Sequence, residues 1–168
     1  WVRNYQELYT RDVALTALGY IAGLKGLDIG GGAGDYSIVL TLAGANMVCQ
    51  DIDGGAITEG RKNNERLGLD IGFREGDAQS LLADDEFFDF CISNDFFEHI
   101  TTEQKRRIIG EIYRVLKPGG VVVIKTPNLT YLRLSIALKR IVALLRGKSP
   151  RIHIAHTRNN PDSEHHGL

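Results

Sequence analysis

The sequence predicts an α/β fold, an open sheet of mainly parallel strands with helices on both faces. Three observations carry this expectation. Short apolar runs alternate with helical patterns as far as a fifth strand, and a loop with four glycines in five positions, Gly30-Gly31-Gly32-Ala33-Gly34, separates the first strand from the first helix. Polar residues also recur just beyond the strand runs, at Asp51, Asp77 and Asn94. In a parallel sheet such positions share one rim, and ligands sit beyond the carboxyl ends of the strands.

Taken in order, residues 1–22 carry Leu8, Val13, Leu15, Leu18 and Ile21 amid polar residues and predict an amphipathic helix. The first strand, Leu27-Asp28-Ile29, runs into the glycine loop, and Tyr36 to Ala43 continues at helical length. Gly44-Ala45-Asn46 ends that helix, and Met47-Val48-Cys49-Gln50-Asp51 is a second strand finishing on an acid. A polar helix over about Ile57–Leu67 stops at Gly68, after which Leu69, Ile71 and Phe73 alternate with polar residues as a short third strand. Phe87 to Ser93, apolar nearly throughout, is a strand buried on both faces and delivers Asn94 and Asp95 to the rim. Thr101 with Gln104 forms a capping box, and Ile108, Ile109, Ile112, Val115 and Leu116 are the expected buried face of the helix it opens. Lys117-Pro118-Gly119-Gly120 turns the chain into a fifth strand, Val121 to Lys125.

The composition, 43% hydrophobic and 24% charged over 168 residues, fits a single domain, 1–168, with a sizeable core. Within it we expect an N-terminal helix over 1–22, a ligand-binding core over 23–128, and an amphipathic helix with a polar tail over 129–168. A net charge of −1 carries no polybasic signature, so no nucleic-acid partner is expected. Cys49 and Cys91 fall in apolar strand runs and read as buried free thiols, which suits a reducing cytoplasm. No apolar run reaches the length of a membrane span, and no export pattern opens the chain. It begins at Trp1 rather than Met, so further N-terminal residues are expected upstream.

Glycine permits positive φ and close approach of a ligand, while the helix beyond the loop leaves unpaired N–H donors. The spacing Gly30, Gly32, Gly34 is G-x-G-x-G, and Asp35 stands where the dinucleotide fingerprint G-x-G-x-x-G needs its third glycine. No Lys-Ser or Lys-Thr pair closes the loop as a P-loop requires. The competing interpretation is a plain strand-to-helix turn. Asp51, 21 residues beyond Gly30, can accept both ribose hydroxyls of a nucleoside, or serve as a solvated loop acid or helix cap. Asp77 can accept from an exocyclic amine such as that of adenine, or close an Asx-turn.

These residues resemble the class I S-adenosylmethionine-dependent methyltransferases, small-molecule branch, related to the ubiquinone-type O-methyltransferases. The likeness runs from about Lys25 to Asn128. Leu27 to Gly34 looks like the glycine motif, Cys49-Gln50-Asp51-Ile52 like the ribose motif, and Glu75-Gly76-Asp77-Ala78 like the adenine motif. Phe88-Asp89-Phe90 through Glu98-His99-Ile100 looks like the segment leaving the fourth strand. The most specific piece is Tyr113 to Gly120 with Thr126-Pro127-Asn128 after the fifth strand. The resemblance implies a Rossmann-like fold, S-adenosyl-L-methionine as cofactor, and methyl transfer to a small-molecule acceptor, at oxygen. By the same likeness Gly30, Gly31, Gly32 and Gly34 pass under the methionine and ribose, and Asp28 steadies the loop. Asp51 with Ile52 holds the ribose, Asp77 with Ala78 reads adenine, and the backbone near Asn94 faces the methionine ammonium. A cationic sulfonium suits a rim lined by acids.

The sixth and seventh strands that usually complete this sheet are not evident after Lys125, so the chain is expected to be a fragment or to lack segments of the sequence, with its sheet edge then exposed or completed by another copy. Residues 129–148 predict a helix with Leu134, Leu138, Ile141, Val142 and Leu145 on one stripe and Arg133, Lys139, Arg140 and Arg146 off it. A solvated basic face on a covering helix is preferred over peripheral contact with a membrane. His153, His156, His165 and His166 match no ligand spacing, so no metal is expected. His99 is the one near-neutral titrating side chain just past the fourth strand; a helix-entry role is preferred for it, and the catalytic residue is left unassigned. Two other functions stay open: a non-catalytic cofactor-binding or scaffold protein of this fold, and a nicotinamide-dependent oxidoreductase.

Overall fold

The computed structural model describes residues 17–126. Strand β1 spans Lys25–Ile29, β2 Asn46–Asp51, β3 Gly72–Glu75, β4 Phe88–Asn94 and β5 Leu116–Lys125. Helix α1 covers Asp35–Leu42, α2 Gly54–Leu67 and α3 Thr102–Val115, with a short 3₁₀ turn at Phe97–His99 before α3. The strands pair in the order β3-β2-β1-β4-β5, and every pairing is parallel. The strand order reverses between β1 and β4, the kind of switch point beside which open α/β sheets bind ligands. This is the Rossmann-like sheet that the alternation predicts.

Each face of the sheet has its own core. On one side Ile38, Val39 and Leu40 of α1 and Ile57 of α2 pack with Met47, Cys49, Phe73, Phe90 and Ile92. On the other, Ile108, Ile112 and Val115 of α3 pack with Leu27, Ile29, Phe88 and Cys91. Burial of each such side chain stabilises the fold by about 1.5–3 kcal/mol before chain entropy is counted. Both cysteines are buried and free.

The helix ends follow local chemistry. Asp53 caps α2 by accepting from the N–H groups of Gly55 and Ala56 at 2.8 and 3.1 Å, and Gly68 ends it at φ 64°. Thr101 and Gln104 make the expected capping box of α3. Ile109 departs from expectation: it is 46% exposed, because it lies about 100° around the helix from Ile108 and falls off the Ile108-Ile112-Val115 stripe. The Lys117–Gly120 turn lies within the β5 span, where two residues of β4, Phe88 and Phe90, pair with Leu116 and Val121 across an irregularity. Ala17 to Leu24 form turns, with Ile21 buried, Gly19 at φ 68° and Gly23 at φ 80°. The helix expected over 1–22 does not run through the described part of that span, because residues 17–22 form turns and Gly19 takes a left-handed φ that an α-helix does not accommodate. Residues 1–16, the helix expected over 129–148, the tail and its histidines lie outside the described residues.

Candidate functional site

Gly30, Gly32 and Gly34 take φ values of 68°, 55° and 81°, the left-handed region that side chains resist, so the loop needs its glycines for the turn itself. Its underside is closed. A Cβ on Gly30 would meet the Phe96 ring at 2.5 Å, and one on Gly31 would meet the Asp28 carboxyl at 2.6 Å and Cys49 Sγ at 2.7 Å. At Gly32 the opposite holds, since a Cβ there meets nothing within 4 Å. The loop is thus fastened below and open at its middle, the form a cradle for a ligand requires.

Asp28 supports the loop from inside. It is 1% exposed and accepts from Ser37 Oγ at 2.8 Å. Burial pushes its carboxyl up to about 6, against the hydrogen bonds from Ser37, and the nearby charges of Asp51 and Asp35 add to the rise. Burial also pushes the Cys49 thiol up, with the Asp28 charge adding, and the Cys91 thiol up to about 12. Neither thiol is poised as a nucleophile.

At the tip of β2, Asp51 is half-buried; its Oδ2 accepts the Gly32 N–H at 2.8 Å and its Oδ1 accepts the Asp53 N–H at 2.9 Å. Ile52 beside it is 70% exposed. Past β3, Asp77 closes the Asx-turn that competed with a ligand role, its Oδ1 accepting the Gln79 N–H at 2.8 Å. The carboxylate remains exposed, while Ala78 is buried in the core beneath α3. Asn94 ends β4 opposite Lys125, and neither its side-chain nitrogen nor its oxygen, both buried, has a hydrogen-bond partner. His99 ends the 3₁₀ turn with its N–H donating to the Phe96 carbonyl at 3.0 Å and its Nε2 3.9 Å from Glu98 Oε1. The structure therefore bonds Asp51 to the glycine loop, packs the Asp28 carboxyl beneath Gly31 with its hydrogen bond to Ser37, and places Asp77, Ala78 and Asn94 along the same rim.

Three features of the rim escape a motif search. Gln50, 1% exposed, bonds to the loop after β3. Phe96 covers Gly30 from below, and Lys125 Nζ lies 3.0 Å from the Tyr36 hydroxyl. The signal for Gln50 is a polar residue in an otherwise apolar strand; for the other two, no local sequence signal exists. Among the described residues no group of three His, Cys, Asp or Glu side chains could hold a metal ion, and no helix is long and apolar enough to cross a membrane.

Comparison with known proteins agrees with this geometry. A family model described as a methyltransferase domain matches residues 27–124. The chain is 34% identical over 110 residues to a demethylmenaquinone methyltransferase of Clavibacter sepedonicus, covering 64% of this chain and 43% of that protein. It is 30% identical over 146 residues to a ubiquinone biosynthesis O-methyltransferase of Azorhizobium caulinodans, covering 82% of this chain and 56% of that protein. The chain thus spans about half the length of these curated relatives. Among solved structures, a Pyrococcus horikoshii protein superposes with a TM-score of 0.70 at 26% identity, over 85% of this chain and 62% of that one.

Proposed function

Because the chain belongs to the methyltransferase domain family, we propose that it moves a methyl group from S-adenosylmethionine to a small-molecule acceptor, at oxygen. The observation that carries this reading is Asp51. A carboxylate offers about four acceptor positions. Two are taken by the N–H groups of Gly32 and Asp53, at 2.8 and 2.9 Å, which leaves two for a vicinal ribose diol. The backbone amides thus aim the carboxylate before any ligand arrives.

The other residues suit the same occupant. The loop Gly30 to Gly34, closed below and open at Gly32, would lie along the ribose and methionine, with Asp28 fixing it through Ser37. Ile52 would give the base an apolar surface, and Asp77 with the backbone at Ala78 would read its exocyclic amine. The strand end at Asn94 would face the methionine ammonium. Acids at Asp35, Asp51, Asp53, Glu75 and Asp77 favour a cation and disfavour a pyrophosphate. When bound, S-adenosylmethionine supplies an electrophilic methyl group on a sulfonium sulfur. The chain's own task is to hold the acceptor in line with it and to keep water out, so orientation carries much of the rate. We assign no general base.

Oxygen as the acceptor atom is supported by the name of the Azorhizobium relative, an O-methyltransferase. We read the protein as cytoplasmic, without nucleic-acid partners, and self-associating through the β5 edge, where Val121, Val122 and Ile124 are exposed. Sedimentation of the purified chain tests that last point.

The function is tested by calorimetry with S-adenosylhomocysteine and NADH, followed by methyl transfer from labelled cofactor to a panel of phenols and quinols. Binding of S-adenosylhomocysteine alone, with a labelled product, is the expected result. Binding of NADH instead would make the chain an oxidoreductase; cofactor binding with no product across the panel would make it a binding protein.

A further inference from the structure

Strand β2 presents an apolar run, Met47-Val48-Cys49, and then a buried amide. Gln50 Nε2 donates to the Asp77 carbonyl at 3.1 Å and to the Ser80 carbonyl at 3.5 Å, while its Oε1 accepts the Leu82 N–H at 3.0 Å. The next residue along the strand continues the seam, since the Asp51 carbonyl accepts the Gly76 N–H at 2.9 Å. Space beside the amide is tight, and a Cβ on Gly76 would lie 3.2 Å from Gln50 Nε2. The far side of the segment is held by α3, where Glu111 accepts the Leu81 N–H at 2.8 Å and Arg114 donates to the Leu81 carbonyl at 3.0 Å.

An apolar side chain at this position could fill the sheet face with no polar group to desolvate. What the amide adds is geometry. Three directional bonds join the residue before Asp51 to the backbone of Asp77 and the turn after it, so the backbone that carries the Asp77 carboxylate is tied to the tip of β2, while the Gln79 amide and N–H donate to that carboxylate within the turn.

We infer that Gln50 is a positioning residue for base recognition: by clamping the Asp77–Leu82 turn to the tip of β2 it makes the site select adenine. The inference rests on the cofactor reading above. Adenine presents a donating amine to the Asp77 carboxylate, whereas hypoxanthine presents an oxygen there, and acceptor faces acceptor. A loose turn would swing away from that clash and tolerate both bases; a clamped one cannot. Rejection by unpaired or opposed polar groups requires that the groups be held in place.

The test compares S-adenosylhomocysteine with S-inosylhomocysteine, by calorimetry, on the unaltered chain and on Gln50→Met. The unaltered chain should prefer the adenine compound by about ten- to a hundredfold, the range a hydrogen bond to a charged group supports. In Gln50→Met the preference should fall towards unity. A Gln50 that merely stabilises the fold would lower the melting temperature or both affinities together and leave the ratio intact, which overturns the inference. If Gln50→Met fails to fold, hydrogen exchange on the unaltered, ligand-free chain decides, since a formed clamp protects the Leu82 amide and exchange at the unprotected rate refutes it. An unaltered chain that binds neither compound overturns the cofactor reading itself, whereas binding with an unchanged ratio in the variant overturns only the role of Gln50.

Discussion

Asp51 Oδ2 and the backbone N–H of Gly32 lie 2.8 Å apart, joining the tip of β2 to the middle of the glycine loop across 19 residues of chain. One carboxylate therefore shapes the cradle and faces its occupant. Removing it should cost both functions at once.

Asp51→Ala should weaken S-adenosylhomocysteine binding by about 1.5–3 kcal/mol, or roughly ten- to a hundredfold, by loss of charge-assisted hydrogen bonds. Asp51→Asn keeps one acceptor oxygen but turns an NH₂ group towards the Gly32 or the Asp53 N–H, donor against donor. It should fall between the two. Calorimetry on the three proteins checks the order, and equal affinity in the alanine variant would remove Asp51 from the site.

Asp28 makes stability depend on pH in an identifiable way. Its carboxyl moves from 3.8 to about 6 through burial, opposed by Ser37 and reinforced by the charges of Asp51 and Asp35. Between those values the folded chain keeps a proton that the unfolded chain has released, so this group's contribution to stability falls as pH rises and is level above about 6. Asp28→Asn retains an acceptor for Ser37 and has no charge to bury. Measured by urea unfolding, the variant should gain about 2 kcal/mol on the unaltered protein between pH 4.5 and 7.5. A difference that does not change with pH would contradict the buried carboxylate as its source.

Much of this was legible in the chain because it depends on local rules. The Gly30–Gly34 loop, the Thr101–Gln104 capping box and the ends of β2 and β4 each announce themselves within a few residues. The alternation of strand and helix then leaves few topologies, and the observed order β3-β2-β1-β4-β5 is one that right-handed crossovers produce. Contacts between distant segments were not legible. Gln50 reaches Leu82, Ser37 reaches Asp28 and Phe96 lies under Gly30, and none of these pairs is fixed by spacing or periodicity. Ile109 shows the converse limit, since an isoleucine beside a buried stripe is still placed by a 100° step, and that step turned it to solvent.

Gly34 of the cradle and Gly68 at the end of α2 differ in how they would respond to a methyl group, and this separates backbone strain from packing. Gly34 and Gly68 both sit at positive φ, 81° and 64°, so alanine at either carries a left-handed penalty of about 1–2 kcal/mol. At Gly68 a Cβ meets nothing within 4 Å, and the penalty ends there. At Gly34 a Cβ would lie 2.8 Å from the ring of Phe73. That ring has little room to retreat, because it also lies so close to Gly60 of α2 that a Cβ there would meet it at 2.3 Å, and the residue is only 8% exposed. Overpacking of this kind adds about 1–3 kcal/mol, so Gly34→Ala should lose roughly 2–5 kcal/mol and Gly68→Ala about 1–2 kcal/mol in urea unfolding. The two should also part in binding. Relief of the clash moves the loop away from β2 and stretches the bond between Gly32 and Asp51, so S-adenosylhomocysteine affinity should fall in Gly34→Ala and hold in Gly68→Ala. Equal losses of stability would mean that Phe73 yields after all, and unchanged affinity in Gly34→Ala would mean that the cradle does not depend on where α1 begins.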